Sequence, residues 1–193
     1  MIERVIPSVW VRAFLWAVAR IWVGYQFLNA GWQKLFGDEQ AAFVGAHAGA
    51  GVSGFLGHAV SPAMTTGANP SVLGPYAWFA NNLFIPHATL FGVLVAFGET
   101  LVGLALILGL FTRFAAFWGV VLNLMFLFAG ATGLNPYMLT ADLSILLVGA
   151  SAGLLGADSF ALPFLRLEWA RLLTHQPTGR WFGGHHGITG HAA

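Results

Sequence analysis

The chain has 193 residues, of which 58% are hydrophobic and only 8% are charged. Because soluble domains carry about 25% charged residues, this composition excludes an ordinary water-soluble protein and predicts an integral membrane protein. The few charges sum to +1 and are scattered along the chain, which excludes the clustered basic face that nucleic-acid binding needs. The absence of cysteine excludes disulfides, Fe–S clusters and Cys-ligated zinc.

Four segments are long and apolar enough to cross a membrane as helices, since about 20 apolar residues span the hydrocarbon core. In chain order they are residues 14–33, 87–110, 114–133 and 138–156. Short connections join the last three, so these should pack as antiparallel neighbours. The predicted fold is an all-α integral membrane protein, with a four-transmembrane-helix bundle in residues 1–158.

The long connection between the first two spans, residues 37–86, is predicted to be an external loop. Its residues 41–60 are apolar and uncharged but rich in glycine. Each glycine costs about 1 kcal/mol relative to alanine inside a helix. This favours a short or re-entrant helix, with a fifth span as the alternative.

Residues 159–193 are predicted to form an amphipathic helix on the cytoplasmic membrane surface, followed by a flexible tail rich in His and Gly. With four spans, most of the arginines fall on one side of the membrane: Arg4, Arg12, Arg113, Arg166, Arg171 and Arg180. The positive-inside rule makes that side cytoplasmic. We therefore expect a multi-pass plasma-membrane protein with both termini in the cytoplasm.

Ionisable residues inside the predicted spans are the first candidate functional groups, because a charge in hydrocarbon costs at least about 2.5–3.5 kcal/mol. They are Arg20, Glu99 and Asp142. Arg20 and Glu99 could pair, either only to hold the bundle together or as a site that binds an anion or relays protons to a quinone. Glu99 is the candidate catalytic residue, as a proton carrier.

A second set of polar residues is expected near the external ends of the spans: Lys34, His87, Asn135 and Asp142. Asn135, followed by Pro136, is typical of a helix cap. The alternative is an anion site built from Lys34, His87 and free amides at a helix N-terminus. Arg113, between the second and third spans, and Arg20 are further candidate anion-binding residues.

One face of the first span carries two charged residues, two glycines and a phenylalanine at helical spacing: Arg20, Gly24, Phe27, Gly31 and Lys34. Glycines at such positions favour close helix packing. Asn123, in the third span, should bond within the bundle. No metal site is expected, because His185, His186 and His191 stand in the tail. Haem is not expected either, because His87 is the only histidine at the end of a predicted span.

The motifs on the first two spans resemble those of DoxX-type membrane proteins. They are Arg20-xxx-Gly24 with Ala30-Gly31-xx-Lys34-Leu35, and Glu99-xxx-Gly103 with Leu108-Gly109-Leu110-Phe111-Thr112-Arg113. Two later stretches resemble more specifically DoxD, a subunit of thiosulfate:quinone oxidoreductase. They are Ala131-Thr132-Gly133-Leu134-Asn135-Pro136 and Leu155-Gly156-Ala157-Asp158.

This resemblance implies oxidation of thiosulfate to tetrathionate, with the electrons passed to membrane quinone. Quinone would act as a substrate, and a partner subunit or a second copy of the chain would complete the enzyme. One alternative is a non-catalytic membrane anchor or scaffold that recruits redox proteins. A small transporter is a third hypothesis, which the lack of an inverted repeat disfavours.

Overall fold

The computed structural model describes residues 9–161 and Pro163, and the secondary structure in those residues is entirely helical. In chain order the elements are α1 (Val9–Leu35), α2 (Gln40–Phe43), α3 (Ala50–Ala59), α4 (Pro62–Thr65), α5 (Gly74–Phe79), a π-helix (Ala80–Phe84), α6 (Ala88–Leu108), α7 (Thr112–Phe128), α8 (Asn135–Val148) and α9 (Ala150–Gly153). The long helices α1, α6, α7 and α8 pack on one another.

Helices α1 and α6 form a close antiparallel pair. A Cβ atom on Gly24 would lie 2.9 Å from the carbonyl oxygen of Gly103, and a Cβ on Gly31 would overlap Thr100. Small residues let two backbones approach to this distance. The prediction that these α1 glycines are packing sites is confirmed.

A central hydrophobic core joins all the long helices. Its buried members are Val23, Phe27, Val102, Leu106, Ala115, Ala116, Met138, Ile145 and Ala152. They come from α1, α6, α7, α8 and α9, so helices from both ends of the described chain contribute to this core. The side chains on the opposite helix faces include exposed large apolar groups, such as Phe14, Leu101 and Phe114.

The connection between α1 and α6 is folded rather than extended. Its short helices enclose a second buried cluster with the start of α6 and the end of α7: Val52, Leu56, Ala59, Val72, Ala80, Ala88 and Ala129. The longest helix within residues 41–60 is α3, with 10 residues. At 1.5 Å per residue it is about 15 Å long, too short to form a fifth span.

The helices differ from the predicted spans in length. Among the described residues, α6 is the one helix that is both long and apolar enough to cross a membrane, and α7 is a shorter apolar helix of 17 residues. The predicted span at 138–156 is interrupted, since α8 ends at Val148 and Gly149 adopts a positive φ of 67°. The predicted amphipathic helix and tail beyond Pro163, and Arg4, lie outside the described residues.

Candidate functional site

A cavity of about 1040 Å³ lies between α6 and α7, with α3 at one end; we call it the α6–α7 groove. Its walls are apolar and strongly aromatic. The aromatic lining residues are Phe43, Phe55, Tyr76, Phe84, Phe91, Phe111, Phe114, Trp118 and Phe126. On α6, Leu94, Gly98 and Leu101 line the groove. A groove of this size and lining suits an apolar or aromatic ligand.

The polar part of the lining is an ion-pair cluster around Lys34. The Lys34 Nζ atom lies 2.9 Å from Glu99 Oε2 and 3.8 Å from Glu39 Oε2. The side chain of Glu99 is only 3% exposed, whereas that of Glu39 is 53% exposed. The ammonium also lies 5.2 Å from the centre of the Phe43 ring, within range of a cation–π interaction. Lys34 therefore links a buried carboxylate, an exposed carboxylate and the groove.

Arg20 does not pair with Glu99, which corrects the predicted pairing. Its guanidinium is buried and donates to the Leu155 carbonyl oxygen at 2.9 Å. It also lies against Gly109 and Gly156, where neither residue has a Cβ in the way. The reason is the antiparallel register: Glu99 lies opposite the C-terminal part of α1, while Arg20 is level with the end of α6.

Asp158 completes the cluster around Arg20. Its carboxylate accepts hydrogen bonds from the backbone N–H groups of Phe111 at 2.6 Å and Thr112 at 2.9 Å. These bonds satisfy free donors at the start of α7, and they hold Phe111 at its positive φ of 49°. The cluster therefore fixes the tight turn between α6 and α7.

Asp142 was predicted near the external end of the fourth span, but it lies in the middle of α8, deeply buried within the packed helices. It is fully buried, and its Oδ2 accepts a hydrogen bond from Asn123 Nδ2 at 3.0 Å. Gly119 lies directly against this carboxyl group. The difference arises because α8 runs from Asn135 to Val148 and not over the predicted residues 138–156, which places Asp142 two turns inside the helix. The prediction that Asn123 bonds within the bundle is confirmed.

The other candidate anion-binding residues are not gathered into one site. His87 Nδ1 contacts the Leu83 carbonyl oxygen at 2.9 Å, and Asn135 Nδ2 donates to the Ala131 carbonyl oxygen at 2.9 Å. Asn135 is the first residue of α8, and Leu134 precedes it at the N-cap position, so the prediction that Asn135 caps the helix is wrong. Arg113 is exposed at the start of α7, beside Gly149. Of these candidates, only Lys34 lines the groove.

Sequence reasoning missed several residues that matter in the structure. Glu39 and Phe43 follow the end of α1 and fold back against Lys34, for which the sequence carries no clear signal. Tyr76 lines the groove and donates to the Met125 carbonyl oxygen at 3.1 Å. Burial raises the pKa of Tyr76 to about 12. Asp158 stands in the quoted Leu155-Gly156-Ala157-Asp158 motif, which was the available signal.

The described residues contain no group of three or more His, Asp or Glu side chains that could hold a metal ion. The groove offers a ligand an aromatic wall, the ammonium group of Lys34 and the exposed carboxylate of Glu39.

Comparison with known proteins gives one match. No curated protein and no solved structure matches the chain. The model of one protein family, DoxX, matches residues 15–132. This region covers α1 from Leu15 onwards, the connection of short helices, α6 and α7, and it includes the Lys34 cluster and all residues that line the groove. The chain therefore belongs to the DoxX family of membrane proteins.

Proposed function

We propose that this protein is a membrane subunit of a quinone-linked oxidoreductase, and that the α6–α7 groove binds the quinone. The observation that carries the proposal is an aromatic groove with an ion-paired lysine in its wall. A quinone has a planar ring, two carbonyl oxygens and an apolar tail. The ring would pack on the aromatic side chains, and one carbonyl oxygen would accept a hydrogen bond from Lys34.

The proposal includes four membrane spans, α1, α6, α7 and α8. With 27 residues, α1 is about 40 Å long at 1.5 Å per residue, enough to cross a bilayer. Exposed apolar side chains on α1, α6 and α7, such as Phe14, Leu101 and Phe114, support contact with lipid. The antiparallel packing of α1 on α6 puts Arg12 and Arg113 at the same end, in accord with cytoplasmic termini in the plasma membrane.

The finer activity that we propose is thiosulfate oxidation, the reaction that the DoxD-like motifs imply. Two thiosulfate ions form one S–S bond and become tetrathionate, releasing two electrons. Quinone takes up these two electrons and two protons and becomes quinol. The chain lacks cysteine, so no thiolate of its own can take part. We also propose that a partner subunit or a second copy of the chain completes the enzyme.

The quinone site is tested with a photoreactive quinone analogue, followed by mass-spectrometric mapping of the labelled peptides. Gly98 is a suitable position for substitution, because it lines the groove and a Cβ atom there would meet no atom within 4 Å. Gly98→Trp should fill the groove and lower labelling of α6 and α7 at least tenfold, and Gly98→Ala is the matched control. Equal labelling in both variants would refute the quinone site.

The redox activity needs a separate assay. Protein in vesicles is supplied with thiosulfate and a short-chain quinone, and quinol formation is followed by absorbance. A protein that binds quinone but never reduces it with thiosulfate, alone or with its natural partners, would refute the enzyme claim.

A non-catalytic anchor for redox partners is the second candidate function. The observation that favours it is again the lack of cysteine, because any step that needs a protein thiol would then fall to a partner. In that case Glu99→Gln and Arg20→Gln would leave the activity of the complex intact. Recovery of partner proteins with the purified chain would then depend on the connection 37–86 or on the tail.

A further inference from the structure

We propose that Lys34 is the group that gives protons to the substrate in the α6–α7 groove, and that Glu39 returns protons to Lys34 from the exposed surface. This inference rests on the proposed function, because it concerns the same quinone site. It replaces Glu99, the proton carrier expected from the sequence, with the residue that lines the cavity.

The first step concerns which groups reach the groove. Among the described residues that line it, the ionisable ones are Lys34, Glu39 and Tyr76. Tyr76 already donates its hydroxyl proton to the Met125 carbonyl oxygen, so it is committed to a structural bond. Glu99 does not line the groove, and its carboxylate is buried against Lys34. A proton that passes from the buried Lys34–Glu99 pair to a ligand must therefore leave through Lys34.

The second step concerns the free donor on Lys34. An ammonium group has three N–H donors. Its nitrogen forms an ion pair with Glu99 Oε2 at 2.9 Å, and one N–H donates to the Ala30 carbonyl oxygen at 3.4 Å. Glu39, at 3.8 Å, is beyond hydrogen-bond distance. One N–H therefore remains for a carbonyl oxygen of a ligand in the groove.

The third step is the proton balance. Quinone takes up two electrons from thiosulfate and one proton on each of its two oxygens. Lys34 gives one proton to a quinone oxygen and becomes a neutral amine. The buried Glu99 carboxylate then has no counter-ion, which favours recharging of Lys34. The carboxylate of Glu39 lies 3.8 Å from Lys34, and its side chain is 53% exposed. A proton from the surface therefore returns to Lys34 through Glu39. The second proton that the quinone needs follows the same path.

The experiment measures thiosulfate-driven quinol formation in vesicles, with kcat and KM for quinone determined separately. Lys34→Arg keeps a positive charge beside Glu99, but arginine does not release a proton in proteins. We expect KM within about threefold of the wild-type value and kcat lower by about 100-fold or more, the usual range for general acid catalysis. A Lys34→Arg protein that keeps its kcat would overturn the proposal.

Glu39 has a matched control in its exposed neighbour Asp38. Glu39→Gln should lower kcat about tenfold or more without changing KM, and added imidazole, a diffusible proton carrier, should restore the rate. Asp38→Asn should leave kcat unchanged. A loss in Glu39→Gln that imidazole does not restore would overturn the role of Glu39. If the wild-type protein itself never reduces quinone, the proposed function fails and this inference falls with it.

Discussion

Replacing Lys34 with methionine should destabilise the protein far more than replacing Lys34 and Glu99 together. The two charges lie 2.9 Å apart, and their side chains are only 12% and 3% exposed. Lys34→Met would leave the Glu99 carboxylate buried without a partner, which typically costs about 3–5 kcal/mol. The double variant Lys34→Met with Glu99→Met also removes the buried charge. Such replacements are often neutral, or stabilising by about 1–4 kcal/mol.

The free energy of unfolding can be measured by titrating the purified protein in mixed micelles with SDS. Arg113→Met is the control, because it also removes a cation but from an exposed position, and it should change stability by less than about 0.5 kcal/mol. The double variant should be at least about 3 kcal/mol more stable than Lys34→Met. If the single and double variants are equally stable, Glu99 does not depend on Lys34 and the reasoning is refuted.

Three further predictions use the same unfolding assay. Gly103→Ala should cost about 1–3 kcal/mol, because a Cβ would overlap the α1 backbone; Gly98→Ala in the same helix has open space and should not destabilise. Asp158→Ala should cost about 1–2 kcal/mol, since it removes both backbone bonds at the start of α7; an unchanged stability would contradict the capping role. Asp142→Leu leaves the buried Asn123 amide without a partner and should cost about 1–3 kcal/mol, whereas Asp142→Asn can still accept its bond; equal losses would contradict that pairing.

The apolar segments of the sequence predicted the long helices because burial in lipid or in a helical core requires them. The predicted second span, 87–110, closely matches α6 (Ala88–Leu108). The break in the fourth segment was not predicted, because Gly149 is one of several glycines there and only its positive φ shows that it ends a helix. The short helices between α1 and α6 were also not predicted individually, since their positions depend on the cluster that they form together.

The partner of Glu99 could not be read from the sequence, because it depends on the register of α1 on α6. Both Arg20 and Lys34 lie on the packed face of α1 at helical spacing. The contact of Gly31 with Thr100 fixes the register that places Lys34, and not Arg20, beside Glu99. Side chains on a helix lean towards its N-terminus, so Lys34, one turn beyond Gly31, reaches back towards Thr100 and its neighbour Glu99. Arg20, 14 residues earlier, is about 21 Å away along the axis.

Two faces of α6 have different surroundings, and this difference explains why the buried Glu99 carboxylate acts on the groove only through Lys34. One face, with Ala96, Glu99 and Gly103, is buried against α1. Another face, with Leu94, Gly98 and Leu101, lines the groove. Glu99 therefore points away from the cavity, while the long side chain of Lys34 extends from α1 past the edge of α6 to line it. A buried carboxylate in this position cannot contact a ligand, but it can hold a lysine charged and in place beside one.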